Sequence, residues 1–144
     1  MQPIRMNRRR LIVFARYPLP GRVKTRLIPA LGAEGAAALH RRLVLRTLRT
    51  ANAACQAADA ELEVCFEGGS EDAMRHWLGE WRFSPQGEGG LGERMARSFE
   101  NSAKDGSLAT VLIGTDCPGL TRDLLAGAFE RLSRAPVVFG PAND

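Results

Sequence analysis

The chain has 144 residues, 44% of them apolar and 25% charged, with a net charge of +4. Those figures describe one ordinary globular domain that buries roughly two thirds of its unfolded surface, and they exclude a disordered or fibrous chain. Three cysteines without a C-x-x-C pair and two histidines exclude a disulfide framework and a Cys- or His-rich metal centre, and they favour a reducing compartment.

Residues 8–10 are three arginines, followed by the apolar run Leu-Ile-Val-Phe-Ala at 11–15. The pair imitates a signal peptide. However, Arg16 ends the run far short of the roughly 20 residues that a membrane span needs, and no small-residue cleavage site follows. The expectation is a cytoplasmic chain without a membrane partner. It divides into a basic extension at 1–10 and an α/β domain at 11–144.

The run at 11–15 reads as a strand buried on both faces. A loop rich in Pro and cations follows to residue 29, then a helix over about 33–57 with Leu39, Leu43, Val44, Leu48, Ala51 and Cys55 on its apolar arc. His40 falls inside that arc and reads as a packed, hydrogen-bonded histidine; His76 reads as a surface residue. A second strand covers 61–66, and Ser70 caps a short helix to about 80. A short strand at 82–86 leads to the glycine-rich loop 87–90. Leu91, Met95, Phe99 and Ala103 then form one helical stripe. Residues 110–113 are another buried strand, Thr121 caps a helix carrying Leu124, Leu125, Ala128, Phe129 and Leu132, and 136–139 is the last strand. Strands alternating with helices predict a mostly parallel, Rossmann-like sheet flanked by helices, with ligands beyond the carboxyl ends of its strands.

Charge is segregated: residues 1–50 carry +11 and residues 51–144 carry −7. A basic first third suits an anionic partner, either nucleic acid or a phosphate-bearing small molecule. Arg42, Arg46 and Arg49 share one helix face and read as solvated. Aromatics make up only 6% and are not interleaved with the cations, which disfavours nucleic acid. The loop after the first strand holds Arg16, Arg22, Lys24 and Arg26 within eleven residues, stiffened by Pro18 and Pro20, with Gly21 placed for a turn. It reads as a phosphate-binding loop or as a plain solvated one. It is not a Walker A loop, because Val23 precedes Lys24 where glycine is required. Asp116 directly follows a buried strand and suits either a divalent cation that also grips phosphates or a turn or helix cap. Gly87 to Gly90 would let backbone amides approach a nucleotide. The three cysteines read as core fillers, with Cys117 near the proposed site.

Four segments in order resemble a known family. They are Phe-Ala-Arg-Tyr-Pro-Leu-Pro-Gly-Arg-Val-Lys-Thr-Arg-Leu at 14–27, Gln-Gly at 86–87 with Leu-Gly-Glu-Arg-Met at 91–95, Ile-Gly-Thr-Asp-Cys-Pro at 113–118, and Gly-Pro-Ala-Asn-Asp at 140–144. The chain resembles the DUF2064 family, which is glycosyltransferase-A-like and includes members named arsenosugar-biosynthesis glycosyltransferases. That family is similar in turn to nucleotide-diphospho-sugar transferases and to 2-phospholactate guanylyltransferase. The resemblance implies a nucleotide or nucleotide-sugar ligand and a Mg²⁺ or Mn²⁺ ion. It makes Arg16, Lys24 and Arg26 phosphate ligands and Lys24 and Asp116 catalytic. Asp116 and Asp144 become metal ligands, and Ala15, Gly21, Gly87, Leu91 and Thr115 nucleotide contacts.

The chain departs from the family pattern where Gly90 replaces an Asp and where Pro118 removes a D-x-D pair. It also stops at Asp144, where the family continues with Asp-Gly-Gly-Tyr. The expectation is therefore a domain truncated at its C-terminal side, with the acceptor half largely missing, its activity in doubt and a sheet edge open to homo-oligomers. The functional expectation is a metal-dependent glycosyltransferase-like transferase. The alternatives are a guanylyltransferase-like nucleotidyltransferase acting on a phosphorylated small molecule, and a non-catalytic nucleotide-binding module.

Overall fold

The structure is a computed structural model that describes residues 8–134. Four parallel strands, β1 (Arg9–Arg16), β2 (Ala60–Glu67), β3 (Arg82–Pro85) and β4 (Ala109–Ile113), form one sheet in the order β3-β2-β1-β4. They alternate with four helices: α1 (Ile28–Ala58), α2 (Glu71–Leu78), α3 (Leu91–Lys104) and α4 (Arg122–Leu132). This is the expected Rossmann-like parallel sheet. Among the described residues no helix is long and apolar enough to cross a membrane. The strand expected at 136–139 and the segment 140–144 lie outside the described residues.

Alternation along the strands sorts the two faces. Leu11, Val13 and Ala15 of β1, with Val64 and Phe66 of β2 and Ile113 of β4, meet the apolar arc of α1, Met74 of α2, and Leu125 and Phe129 of α4 in one core cluster. Phe129 is fully buried, a contribution of about 2–3 kcal/mol on area grounds. Gly32 (φ 74°, ψ 165°) interrupts the start of α1, so its regular turns begin where the apolar periodicity does. Ser70 and Thr121 cap their helices as expected, accepting hydrogen bonds from Ala73 N and Leu124 N at 3.1 Å.

The other face mixes buried Ile12 and Cys65 with the buried polar groups Arg10 and Glu63, and there the expectations need correction. The stripe of α3 points outward: Leu91 and Phe99 are exposed, while the buried residues of α3 are Ser98 and Ser102. These hydroxyls meet Cys65 Sγ (3.4 Å) and Thr110 Oγ1 (2.8 Å). Small polar side chains let α3 approach a sheet face that itself carries hydrogen-bonding groups. The boundary of the basic extension also moves. Arg9 and Arg10 are the first rungs of β1, and Arg10 is buried, donating to Glu63 Oε1 (3.2 Å) and Asp105 Oδ2 (2.8 Å). Arg82 joins the same two carboxylates. Cys117 is exposed rather than a core filler, because it stands in the loop after β4; Cys55 and Cys65 are buried.

Candidate functional site

The strand order reverses direction at β1: winding first proceeds to β2 and β3, then returns to β4 on the opposite side. The crevice above β1 and β4 is therefore a topological switch point, where open α/β sheets bind ligands. The loops after β1 and β4 flank it.

The loop after β1 is built tightly. Leu19 to Arg22 form a β-turn with Pro20 and Gly21 (φ 84°) at its centre and an Arg22 N to Leu19 O bond of 3.0 Å, the signature of a type II turn. Val23 is buried and anchors the far side. Lys24 then adopts a left-handed backbone (φ 52°, ψ 43°), unusual for a residue with a Cβ, before a single 3-10 turn at Thr25–Leu27 leads into α1. That conformation turns the Lys24 side chain inward. Its Nζ makes an ion pair with Oδ1 of Asp116, 92 residues away in the chain. The two residues that sequence reasoning placed around one pocket are thus in contact.

Asp116 sits in the loop after β4, and its carboxylate is mostly open to solvent. It does not cap α4, since Thr121 does. Thr115 beside it is buried. A small cavity behind this loop, lined by Leu43, Arg46, Thr47, Thr115, Cys117 and Pro118 among others, holds about 10 Å³. That is room for one water at most. A larger cleft of about 590 Å³ lies at the opposite end of the sheet. Three acids, Asp59, Glu61 and Glu80, line it beside one cation, Arg82, so its lining is acid-rich. Among the described residues, the loop cations Arg22, Lys24 and Arg26 stand instead at the sheet's carboxyl edge.

The other expected residues are placed as follows. Arg26 is exposed and forms no ion pair with a described residue; Gly21, Gly87 and Leu91 are exposed at the same edge. Ala15 is buried in the core cluster, so only its backbone is available. Asp144 lies outside the described residues. Arg16 Nε and Nη2 both engage Oε1 of Glu67, and Arg16 Nη1 donates to Arg22 O (3.0 Å). His40 is buried, and its Nε2 lies 2.8 Å from Arg16 O, so that nitrogen carries the proton. Burial lowers its pKa most. Lys24 and Arg16 lower it further, while the Arg16 carbonyl and Asp116 oppose the shift.

Sequence reasoning missed Glu67 and Arg94. Glu67 ends β2 in register with Arg16, and its Oε2 accepts from Arg94 Nη1 at 2.6 Å. The same nitrogen donates to Gln86 Oε1 (2.6 Å), and buried Gln86 is anchored to Cys65 O (3.1 Å). The signal was available: Glu67 closes a buried strand and stands before two glycines, much as Asp116 stands in the loop after β4.

Among the described residues no three His, Cys, Asp or Glu side chains gather as a metal cage. Asp116 is a single exposed carboxylate whose Oδ1 already faces Lys24, so it offers a cation one carboxylate at most, the number with which Mg²⁺ is commonly held when substrate oxygens complete its shell.

Residues 49–144 match the family described as "Uncharacterized protein conserved in bacteria (DUF2064)". No curated protein matches the chain. Among solved structures, the chain is similar to a protein of Desulfovibrio desulfuricans provisionally described as a nucleotide-diphospho-sugar transferase. The TM-score is 0.80 at 32% identity, covering 89% of this chain and 55% of that one. The chain therefore spans little more than half the length of that relative.

Proposed function

The chain belongs to the DUF2064 family, and from that premise we propose that it is a transferase that binds the diphosphate of a nucleotide sugar at the switch point above β1 and β4. The observation that carries this reading is the meeting of Lys24 and Asp116 across that crevice. The likeness to a nucleotide-diphospho-sugar transferase supports it.

In this reading the exposed Lys24–Asp116 pair opens as the ligand enters, Lys24 and Arg26 bind the diphosphate, and the amides of Gly87 to Gly90 face the nucleoside. A Mg²⁺ or Mn²⁺ ion held by Asp116 supplies further neutralisation of phosphate charge when bound. During transfer the bond from the sugar's anomeric carbon to the diphosphate oxygen breaks, and the electron pair leaves with the diphosphate. An acceptor oxygen bonds that carbon and loses its proton to a base. Lys24 stabilises the departing charge as it develops, the step where a preorganised cation lowers the barrier most. Its left-handed backbone supports this role, because such strain is held where geometry matters.

A nucleotidyltransferase reading draws on the lone Asp116, with Pro118 where a D-x-D pair would place a second acid. There an acceptor phosphate oxygen attacks the α-phosphorus of a nucleoside triphosphate and pyrophosphate leaves toward Lys24 and Arg26. Calorimetric titration with nucleotide sugars and with nucleoside triphosphates, each with and without Mn²⁺, separates the two. Tighter binding of nucleotide sugars is expected. Preference for a triphosphate replaces the first reading with the second, and binding of neither removes both.

A further inference from the structure

The guanidinium of Arg16 is committed before any ligand arrives. Its Nε and Nη2 engage Glu67, and its Nη1 holds the carbonyl of Arg22 at 3.0 Å. The second bond ties Arg22, the last residue of the Pro20–Gly21 turn, back to Arg16 at the end of β1. That fixes the point from which buried Val23 and left-handed Lys24 leave. The other oxygen of Glu67 accepts from Arg94, which comes from the first turn of α3 directly after the glycine-rich loop. One carboxylate thus joins the two loops that the proposed function needs in a fixed relation. Two guanidinium groups share it, so its removal leaves like charges facing each other without a counter-charge.

We propose that Glu67 is the positioning residue of this site: it holds Arg16 as a strut of the loop after β1 and ties that loop to α3, so that Lys24 reaches the ligand. The role is electrostatic and acts through Arg16. This inference rests on the proposed diphosphate site, but its first readout needs no ligand.

The loop carries trypsin sites at Arg22, Lys24 and Arg26, and cleavage of a folded chain tracks how often the segment opens. In Glu67→Gln, cleavage at these sites, mapped by mass, rises about tenfold over wild type and over the control Glu71→Gln, an exposed residue at the start of α2. Glu67→Asp, which keeps the charge, stays within about threefold of wild type. The double variant Arg16→Met with Glu67→Gln is cleaved no faster than Arg16→Met alone, because both changes remove the same strut. Affinity for UDP or GDP with Mn²⁺ falls about tenfold in Glu67→Gln. Should that variant not fold, Arg16→Lys retains charge without the fork and shows the same rise in cleavage.

Wild-type cleavage in folded Glu67→Gln or in Arg16→Lys overturns the proposal, as does full additivity in the double variant. Increased cleavage in a protein whose wild type binds neither diphosphate sustains the strut and refutes the nucleotide reading instead.

Discussion

Replacing Lys24 with glycine tests whether this residue serves the ligand or the fold. Two of its features oppose each other. The left-handed backbone (φ 52°, ψ 43°) costs a side chain with a Cβ about 1 kcal/mol, which glycine recovers. The ion pair with solvent-exposed Asp116 is worth about 0.5 kcal/mol, and the added freedom of the unfolded glycine costs about 0.5 kcal/mol more. These nearly cancel, so Lys24→Gly leaves stability within about 0.5 kcal/mol of wild type in a urea melt. Binding behaves differently. A charge-assisted bond to phosphate is worth about 1.5–3 kcal/mol, so the Kd for a nucleoside diphosphate rises about 10- to 100-fold in calorimetry. A variant that loses more than about 2 kcal/mol of stability yet binds diphosphate normally would refute the reasoning and make Lys24 a structural clasp.

Arg10→Met leaves the carboxylate of Glu63, whose side chain is 8% exposed, with Arg82 and Ser84 as its partners among the described residues. The expected cost in urea unfolding is about 3 kcal/mol, and a loss below about 1 kcal/mol counts against the buried network. His40 has a folded pKa below its ordinary 6.5, chiefly through burial. The unfolded chain therefore binds more protons in the window just below 6.5, and stability falls as pH drops through it. Melts at pH 7.5 and 5.5 in buffers of equal ionic strength show that part of the slope vanishing in His40→Gln; an unchanged slope refutes the assignment. In Gly69→Ala the new methyl would stand 2.9 Å from Cγ of Tyr17, whose ring meets Trp77 edge-on at 6.0 Å. A loss of about 1–3 kcal/mol is expected, with a shift in tryptophan fluorescence.

What was legible in the sequence followed from period and position. The run at 11–15 and the arc from Val44 to Cys55 announce a buried strand and a packed helix, and both are found. Lys24 and Asp116 could be brought together because parallel strands deliver their following loops to one edge. Amphipathic periodicity, by contrast, says that a helix has two faces but not which one the sheet prefers. On α3 the preferred face is serine, because Cys65 and Thr110 offer partners there. The pairing of Arg16 with Glu67 needs the strand order itself, since only β2 beside β1 in register sets those residues side by side.

The segregation of charge along the chain separates into two parts once folded. Arg9, Arg10, Arg16 and Lys24 each pair with an acid from the later two thirds: Glu130, the Glu61–Glu63–Asp105 group, Glu67 and Asp116. That share of the early positive charge closes long-range contacts of the fold. Arg22 and Arg26 flank Lys24 in the same loop, are exposed, and pair with no acid among the described residues. Among the described residues their charge closes no contact of the fold, so changing one is expected to leave stability within about 0.5 kcal/mol, as for a surface site. Their field nevertheless acts on any anion above β1. Arg26→Gln should therefore melt like wild type while its Kd for a nucleoside diphosphate rises several-fold at low salt, with the difference shrinking as ionic strength increases. Equal affinity at low salt would mean that the free charge of this loop faces solvent and not a ligand.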